Sequence, residues 1–155
     1  GFHPEDLKRI VVTHGHSDHI GGVPEILERT KAQVFVHGGD VDLIGSLFPL
    51  AGLLGDGDVL DVLGGLRVVH TPGHTPGSIC LYSSSRKVLF SGDTLVNRGE
   101  RTCPNPNYTP KMAQAHRSII GRIAPLDFAI LCVSHGEVIT EKAAEQVRTL
   151  AARLA

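Results

Sequence analysis

Short apolar runs, each ending in a polar loop, alternate along the chain with segments of helical periodicity. The β-branched run at 8–13 predicts a buried strand, and the glycines and early proline of 21–30 predict a helix start. A short helix is predicted at 41–48. The other predicted strands occupy residues 32–38, 58–62, 66–73 and 127–136, together with two runs that flank SSSR as a hairpin. This alternation predicts an α/β layer protein.

Two longer helices are predicted in the second half of the chain. Thr109 followed by Pro110 has the form of an N-cap and first-turn pair, and apolar residues recur at helical spacing over 112–123. A closing helix is predicted over 143–154, with Thr140 as its N-cap. Both helices are expected to turn one apolar face toward the core.

Length and charge restrict the classes of partner. The 155 residues leave room for one domain, residues 1–155, and a 41% apolar composition is typical of a globular protein. Fifteen basic and sixteen acidic residues give a net charge of -1 without a basic block, which argues against a nucleic-acid partner. Apolar runs fall short of the ~18 residues of a membrane span, and an export signal is not recognised. We therefore expect a cytoplasmic protein with a small-molecule substrate and no membrane partner.

The cysteines do not indicate a disulfide framework or a thiolate metal site. Cys80, Cys103 and Cys132 are odd in number and lack C-x-x-C spacing. They are expected to be ordinary free thiols.

Four polar clusters follow four of the predicted strands: THGHSDH, TPGHTPGS, SGDTL and VSHGE. Loops at the strand ends of an α/β sheet are where binding sites are commonly assembled. These loops contain seven candidate metal ligands, which are His14, His16, Asp18, His19, His74, Asp93 and His135. Imidazole and carboxylate are the ligands of zinc sites that also hold water, and one ion needs three or four of them. The surplus predicts two ions that share a carboxylate.

In this order, the four motifs resemble those of the metallo-β-lactamase-fold hydrolases, over residues 5 to about 140. The resemblance implies an αβ/βα sandwich, with two facing sheets, helices outside and the metals at one edge. It also implies a ligand set for each ion. The first ion would be held by His14, His16 and His74, and the second by Asp18, His19 and His135, with Asp93 bridging.

The chemistry implied by this family is hydrolysis of an ester, thioester, lactone or phosphodiester by a hydroxide shared between two zinc ions. Iron or manganese are the other ions that such a set accepts. Asp18 would be the catalytic residue that relays a proton, since a carboxylate bound through one oxygen keeps the other free.

The bridging position narrows the resemblance to one branch of the family. A bridging Asp93 with His19 beside Asp18 is similar to the glyoxalase II, lactonase and phosphodiesterase-like enzymes, whereas the β-lactamases compared lack that bridge. GDTLVNRG also resembles the glyoxalase II motif, although room for that enzyme's helical glutathione-binding domain is lacking. A tyrosine does not closely follow Asp93 as it does in acyl-homoserine lactonases. Small uncharacterised hydrolases of the family are the nearest likeness.

Family members ordinarily carry a run of strands ahead of the H-x-H-x-D-H loop, and thirteen residues precede His14 here. We therefore expect a sandwich that lacks its first strands and is N-terminally incomplete. Such a sheet has an unpaired edge and a partly bare apolar face. Either a homo-oligomer or a missing N-terminal segment would cover them.

Three alternatives compete with a small-molecule zinc hydrolase, and the seven ligands and near-neutral charge favour the hydrolase over the first two. The first is an iron-dependent oxygenase or electron carrier on the same fold, although the oxygenases need only two histidines and one aspartate. The second is a nuclease, which in this superfamily adds an arm or domain that grips nucleic acid. The third is a non-catalytic metal-binding fragment or subunit.

Several residues outside the seven are expected to support the site. Thr75 and Ser78 resemble residues that support the metal loop. His37 and His70 each end an apolar strand and are expected to pack or to support the site, with His70 favoured as a hydrogen-bond partner. The loop after Asp93 either borders a substrate pocket or is a solvated surface, and its polar residues are Arg98, Arg101, Asn105, Asn107 and Tyr108.

Overall fold

The computed structural model describes residues 1, 3–99 and 102–155, so Arg101 lies outside the described residues. The strands in this part of the chain are β1 (Arg9–Val11), β2 (Gln33–His37), β3 (Gly52–Leu54), β4 (Val59–Leu60), β5 (Leu66–His70), β6 (Ile79–Ser83), β7 (Val88–Phe90), β8 (Val96–Asn97), β9 (Thr102–Cys103) and β10 (Ile130–Cys132). The α-helices are α1 (Ser17–Ile20), α2 (Val23–Arg29), α3 (Val41–Ile44), α4 (Met112–Ser118) and α5 (Ala143–Leu154). In the described residues, none of the helices is long and apolar enough to cross a membrane.

The strands form two main sheets and one small ribbon. In the first sheet, β1, β2 and β3 are parallel and lie in chain order. The second sheet has the order β10-β7-β6-β5-β4, antiparallel except for the parallel pair of β10 and β7. The two-residue strands β8 and β9 pair separately. Since β5, β7 and β10 run in one direction, their carboxyl ends meet at one edge.

Alternation along the strands of the first sheet separates its two apolar faces. Val12, Val34 and Val36 are buried in a cluster with residues of α1, α2 and α3. Val11 and Phe35, which are paired in register, belong instead to the layer shared with the second sheet. The period of two therefore gives the first sheet one face against helices and one against strands.

The second sheet divides its side chains in the same way. Its inner face contributes Val68 and Ile79 to the inter-sheet layer, while Leu89 and Leu131 on the outer face pack with α4 and α5. The layer order is therefore helices, sheet, sheet, helices. The predicted α/β class and the αβ/βα sandwich are confirmed.

The strands predicted at 8–13, 32–38, 66–73 and 127–136 are all present with shorter bounds, and β6 and β7 form the predicted hairpin. The strand predicted at 58–62 is reduced to the two residues of β4. The helix predicted at 41–48 ends at Ile44, because Gly45 has a φ of 57° and leaves the helical region.

Both predicted N-caps are wrong. Helix α4 begins two residues after Pro110, with Lys111 at the N-cap position, and it continues into a π-helical turn, Ile119–Ile123. Helix α5 has Lys142 at its N-cap position, in the left-handed region with a φ of 50°, instead of Thr140. In neither helix does the side chain at the N-cap position accept a capping hydrogen bond.

Strand β1 occupies one edge of the first sheet, pairing with β2 alone among the residues described. Val11 and Phe90, in the nearby inter-sheet layer, are only partly buried. We propose that a second copy of the chain covers this edge, because an open edge is a template for further pairing and buried apolar surface is worth about 25 cal/mol per Å². Sedimentation at micromolar concentration is expected to give a dimer or larger assembly.

Val11→Lys is the matched test of this interface. A charge on the inner face of an edge strand discourages edge-to-edge pairing, so this variant is expected to shift the distribution toward monomer. A well-folded monomer of the unmodified chain, with its metal bound, would contradict the proposal.

Candidate metal centre

The four sequence clusters converge on one edge of the sandwich. The loop after β1 brings His14 and His16, and α1 follows at once with Asp18 and His19 on its single turn. His74 lies between β5 and β6. Asp93 occupies a 3-10 turn after β7, and His135 follows β10. All seven predicted ligand residues are therefore in one place, although they come from both sheets.

The first cluster consists of His14, His16 and His74, whose ring nitrogens point at one another. Nε2 of His74 lies 3.2 Å from Nε2 of His14 and 2.9 Å from Nδ1 of His16. Nitrogens bound to one tetrahedral zinc at 2.0–2.1 Å would be separated by about 3.3 Å. Lone pairs of neutral imidazoles repel at this distance unless a proton or a cation lies between them. The cluster therefore has the donor type and spacing of a metal site.

The second cluster consists of Asp18, His19 and His135. Oδ2 of Asp18 lies 3.5 Å from Nε2 of His19 and 3.4 Å from Nε2 of His135. This cluster is more open than the first, because the Asp18 side chain is 57% exposed and that of His135 is 49% exposed. Solvent and a small ligand can therefore reach the second cluster.

Asp93 lies between the two clusters. Its Oδ2 is 3.5 Å from Nε2 of His74 and 3.3 Å from Nε2 of His135, and its Oδ1 is 3.4 Å from Nε2 of His19. Asp93 Oδ1 and His19 Nε2 are both buried without a hydrogen-bond partner in the described part of the chain. Buried polar atoms are otherwise almost always partnered. The donor set therefore fits a pair of cations that share this carboxylate.

Electrostatics keep the buried histidines neutral. Burial, together with the neighbouring His19 and His74, lowers the pKa of His14 to about 2. Burial also lowers the pKa of His74, while the Asp93 carboxylate acts in the opposite direction. A neutral imidazole is the form that coordinates a metal, so these two side chains are ready to bind one without losing a proton.

The residues predicted to support the loops do so. The backbone N–H of Thr75 donates to Oγ of Ser78 at 2.9 Å, and the two hydroxyls are 2.7 Å apart. Nε2 of His70 lies 2.9 Å from the carbonyl oxygen of Pro76, in the loop that carries His74. The ring of His70 also stacks on that of His37 with centroids 3.9 Å apart. Burial and the neighbouring His70 lower the pKa of His37.

Two side chains at the site were missed by the sequence interpretation. Asp40 is fully buried and accepts hydrogen bonds from the loops on either side of the first cluster. Thr109, expected as a helix cap, is instead buried with its Oγ1 3.5 Å from Nδ1 of His74. One signal was available for Asp40, because it follows a predicted strand just as the four recognised clusters do.

A cavity of about 690 Å³ opens beside the two clusters. Its lining includes residues from both clusters together with Arg98, Asn105 and Tyr108 from the loop after Asp93. Nη2 of Arg98 donates to Oδ1 of Asn105 at 2.9 Å, which orients the guanidinium at the rim. The prediction that this loop borders a pocket is therefore confirmed for these three residues. Asn107 is not part of the lining, and its N–H donates to Asn105.

Comparison with known families agrees with this geometry. The sequence model of the metallo-beta-lactamase superfamily matches residues 1–135. The chain belongs to this superfamily. The resemblance inferred from the four motifs is confirmed, and the match spans all seven predicted ligands, ending at His135.

Relatives within the superfamily carry hydrolase names. A hydroxyacylglutathione hydrolase from Anaeromyxobacter dehalogenans is 40% identical over 125 residues, which is 76% of this chain and 43% of that protein. The probable metallo-hydrolase YflN from Bacillus subtilis is 31% identical over 178 aligned positions, covering 88% of this chain and 67% of that protein. The chain thus spans less than half of the first relative and about two thirds of the second.

Solved structures of the superfamily share the fold. The crystal structure of the BLEG-1 B3 metallo-beta-lactamase superposes with a TM-score of 0.73 at 30% sequence identity. The superposition covers 96% of this chain and 77% of that one. The sandwich described above is therefore the metallo-beta-lactamase fold.

Proposed function

We propose that this chain is a metal-dependent hydrolase with two divalent ions, zinc by the chemistry of its donors. His14, His16 and His74 would hold one ion, and Asp18, His19 and His135 the other. The single observation that carries the proposal is the position of Asp93, whose two oxygens lie within 3.5 Å of histidines of both clusters. Histidine and carboxylate donors without thiolate are typical of catalytic zinc sites.

The ions, when bound, would lower the pKa of a water molecule and polarise the bond to be cleaved. The protein's own part is to position the donors and to move protons. Asp18 fits the second task, because its side chain is 57% exposed and lines the cavity while its Oδ2 lies 3.4 Å from His135. We assign Asp18 as the carboxylate that relays a proton between the cavity and the reacting groups.

Ester, thioester, lactone and phosphodiester bonds are the substrate classes that we consider. Several relatives are named for hydrolysis of a hydroxyacylglutathione, which supports our choice of acyl substrates as the first candidates. The guanidinium of Arg98 at the rim of the cavity supplies a permanent positive charge, which favours an acyl substrate that carries a carboxylate. β-Lactam hydrolysis is a second candidate, favoured by the 30% identity to BLEG-1.

The test is a screen of the zinc-loaded protein against a thioester, a lactone, a bis-aryl phosphodiester and a β-lactam, with the metal content of the same sample measured. We expect turnover of an acyl substrate, and the thioester or lactone should exceed the β-lactam. Persulfide-dependent oxygen consumption by the iron-loaded protein, without hydrolysis, would favour the oxygenase alternative. If none of the four substrates is turned over while two ions are bound, the result would contradict a hydrolase and favour a non-catalytic subunit.

A further inference from the structure

Asp40 ends the 3-10 turn Gly38–Asp40 that follows β2, and its carboxylate is completely buried. Oδ2 accepts from the N–H of Gly15 at 2.8 Å and from the hydroxyl of Thr75 at 2.7 Å. Oδ1 accepts from the N–H of Gly77 at 2.6 Å. A buried carboxylate is costly unless it is fully hydrogen-bonded, and three donors satisfy this one.

The three donors belong to the loops of the first cluster. Gly15 lies between His14 and His16 in the sequence, and Thr75 directly follows His74. Asp40 therefore connects the loop after β1, in the first sheet, to the loop between β5 and β6, in the second sheet. Among the described residues, the hydrogen bonds to the Asp40 carboxylate come only from Gly15, Thr75 and Gly77. None of these three residues is a ligand of the second cluster.

Close backbone packing makes this connection rigid. A Cβ atom added to Gly77 would lie 2.6 Å from the backbone nitrogen of Asp40 and 2.7 Å from its carboxyl carbon. The loop can approach Asp40 this closely only because residue 77 lacks a side chain. Thr75 is held in turn by Ser78, so the donor hydroxyl is itself oriented.

A carboxylate is required because all three partners present hydrogens to it. An amide at position 40 has one acceptor oxygen and one NH₂ group, so either orientation places a donor against a donor. One orientation sets the NH₂ against the N–H of Gly77, and the other sets it against the N–H of Gly15. An amide would therefore lose the hydrogen bond to at least one of the two loops while occupying nearly the same volume.

We propose that Asp40 is a positioning residue that fixes the geometry of the first metal cluster and leaves the second unaffected. This inference rests on the proposed function, since it assumes that the clusters bind metal. Supporting groups around metal ligands typically change metal affinity by 10–100-fold. Loss of the hydrogen bonds to Asp40 is expected to lower the metal affinity of the first cluster by about that factor.

The experiment is a titration of the metal-free full chain with Co²⁺, followed by visible absorption and by competition with a chelator. The test variant is Asp40→Asn, and the matched control is Asp42→Asn, an exposed aspartate two residues away on α3. His16→Ala and His135→Ala identify which binding step and which absorption band belong to each cluster. Thermal unfolding of each metal-free variant measures the fold independently of metal.

In Asp40→Asn we expect about 10–100-fold weaker binding, with an altered cobalt spectrum, only in the step that His16→Ala removes. Asp42→Asn should match the parent protein. Equal weakening of both steps, or unchanged affinity and spectrum, would overturn the inference for Asp40. A parent protein that takes up no cobalt would instead overturn the proposed function and the inference with it.

If Asp40→Asn does not fold, Thr75→Ala gives the same test with a smaller change. This variant removes one donor to Oδ2 and leaves the two backbone donors in place. It is expected to weaken the same step selectively and by a smaller factor. Weakening of the other step, or of neither, would overturn the inference.

Discussion

Replacement of Asp93 by alanine is expected to lower kcat/KM by more than about 100-fold, which exceeds the usual effect of losing a group that only supports a ligand. Its carboxylate lies within 3.5 Å of Nε2 of His19, His74 and His135. Removal would take a donor from both ions at once and leave His19 Nε2, already without a hydrogen-bond partner in the described residues, without its nearest carboxylate oxygen. Steady-state kinetics on the substrate found by the screen, together with the metal content, measure this effect.

Thr75→Ala is the matched control for Asp93→Ala. Thr75 is as buried as Asp93 but contacts Asp40 and Ser78 instead of the ligand atoms. Its replacement is therefore expected to lower kcat/KM by about 10–100-fold or less. Equal losses in the two variants would mean that Asp93 is a supporting residue and not a shared donor.

Removal of the metal is expected to reduce hydrolysis to background, and the restored protein is expected to contain two equivalents of zinc per chain. Six donors in two clusters, with Asp93 between them, exceed what one tetrahedral ion uses. Dialysis against a chelator, followed by elemental analysis and assay during stepwise return of zinc, measures both quantities.

His135→Ala provides the reference for this stoichiometry. The variant removes a donor from the open second cluster only, so its tightly bound zinc is expected to fall to one equivalent. If the parent protein binds no more than one equivalent after reconstitution, the dinuclear proposal is wrong. Activity that persists after complete removal of metal would contradict a metal-dependent hydrolase.

The α/β layer class followed from the alternation of apolar runs and helical segments, and the αβ/βα sandwich was implied by the resemblance of the four motifs. The runs around Val11 and Phe35 were predicted as strands, and the structure shows that their side chains alternate between helix-facing and sheet-facing positions. Strands β8 and β9 have two residues each, too short for a period to register. Helix α5 starts at Ala143 after a left-handed Lys142, a conformation that is uncommon for a residue other than glycine and that the local sequence does not predict.

The metal ligands could be predicted from the sequence, whereas some of the residues that hold the ligand loops in place could not. His14 and His16 belong to a dense motif whose residue types have few other uses in such a pattern. Asp40, by contrast, is one acid in a glycine turn, and such a residue is usually a solvated turn former. Its partners are 25 and 37 residues away in the sequence, so only the packed structure brings them together. Thr109 was misassigned for the same reason, since its partner His74 is 35 residues away.

The ligands of the first cluster come from both sheets, and His14 and His74 are 60 residues apart in the sequence. An ion held by both would be a reversible crosslink across the inter-sheet layer. By the chain-entropy argument used for disulfides, closing loops of 15 to 100 residues restricts the unfolded chain by about 3 to 4.7 kcal/mol, and this loop falls within that span. Unfolding of the loaded protein must then either release the ion or leave a closed loop. Its rate is therefore expected to rise with the concentration of chelator.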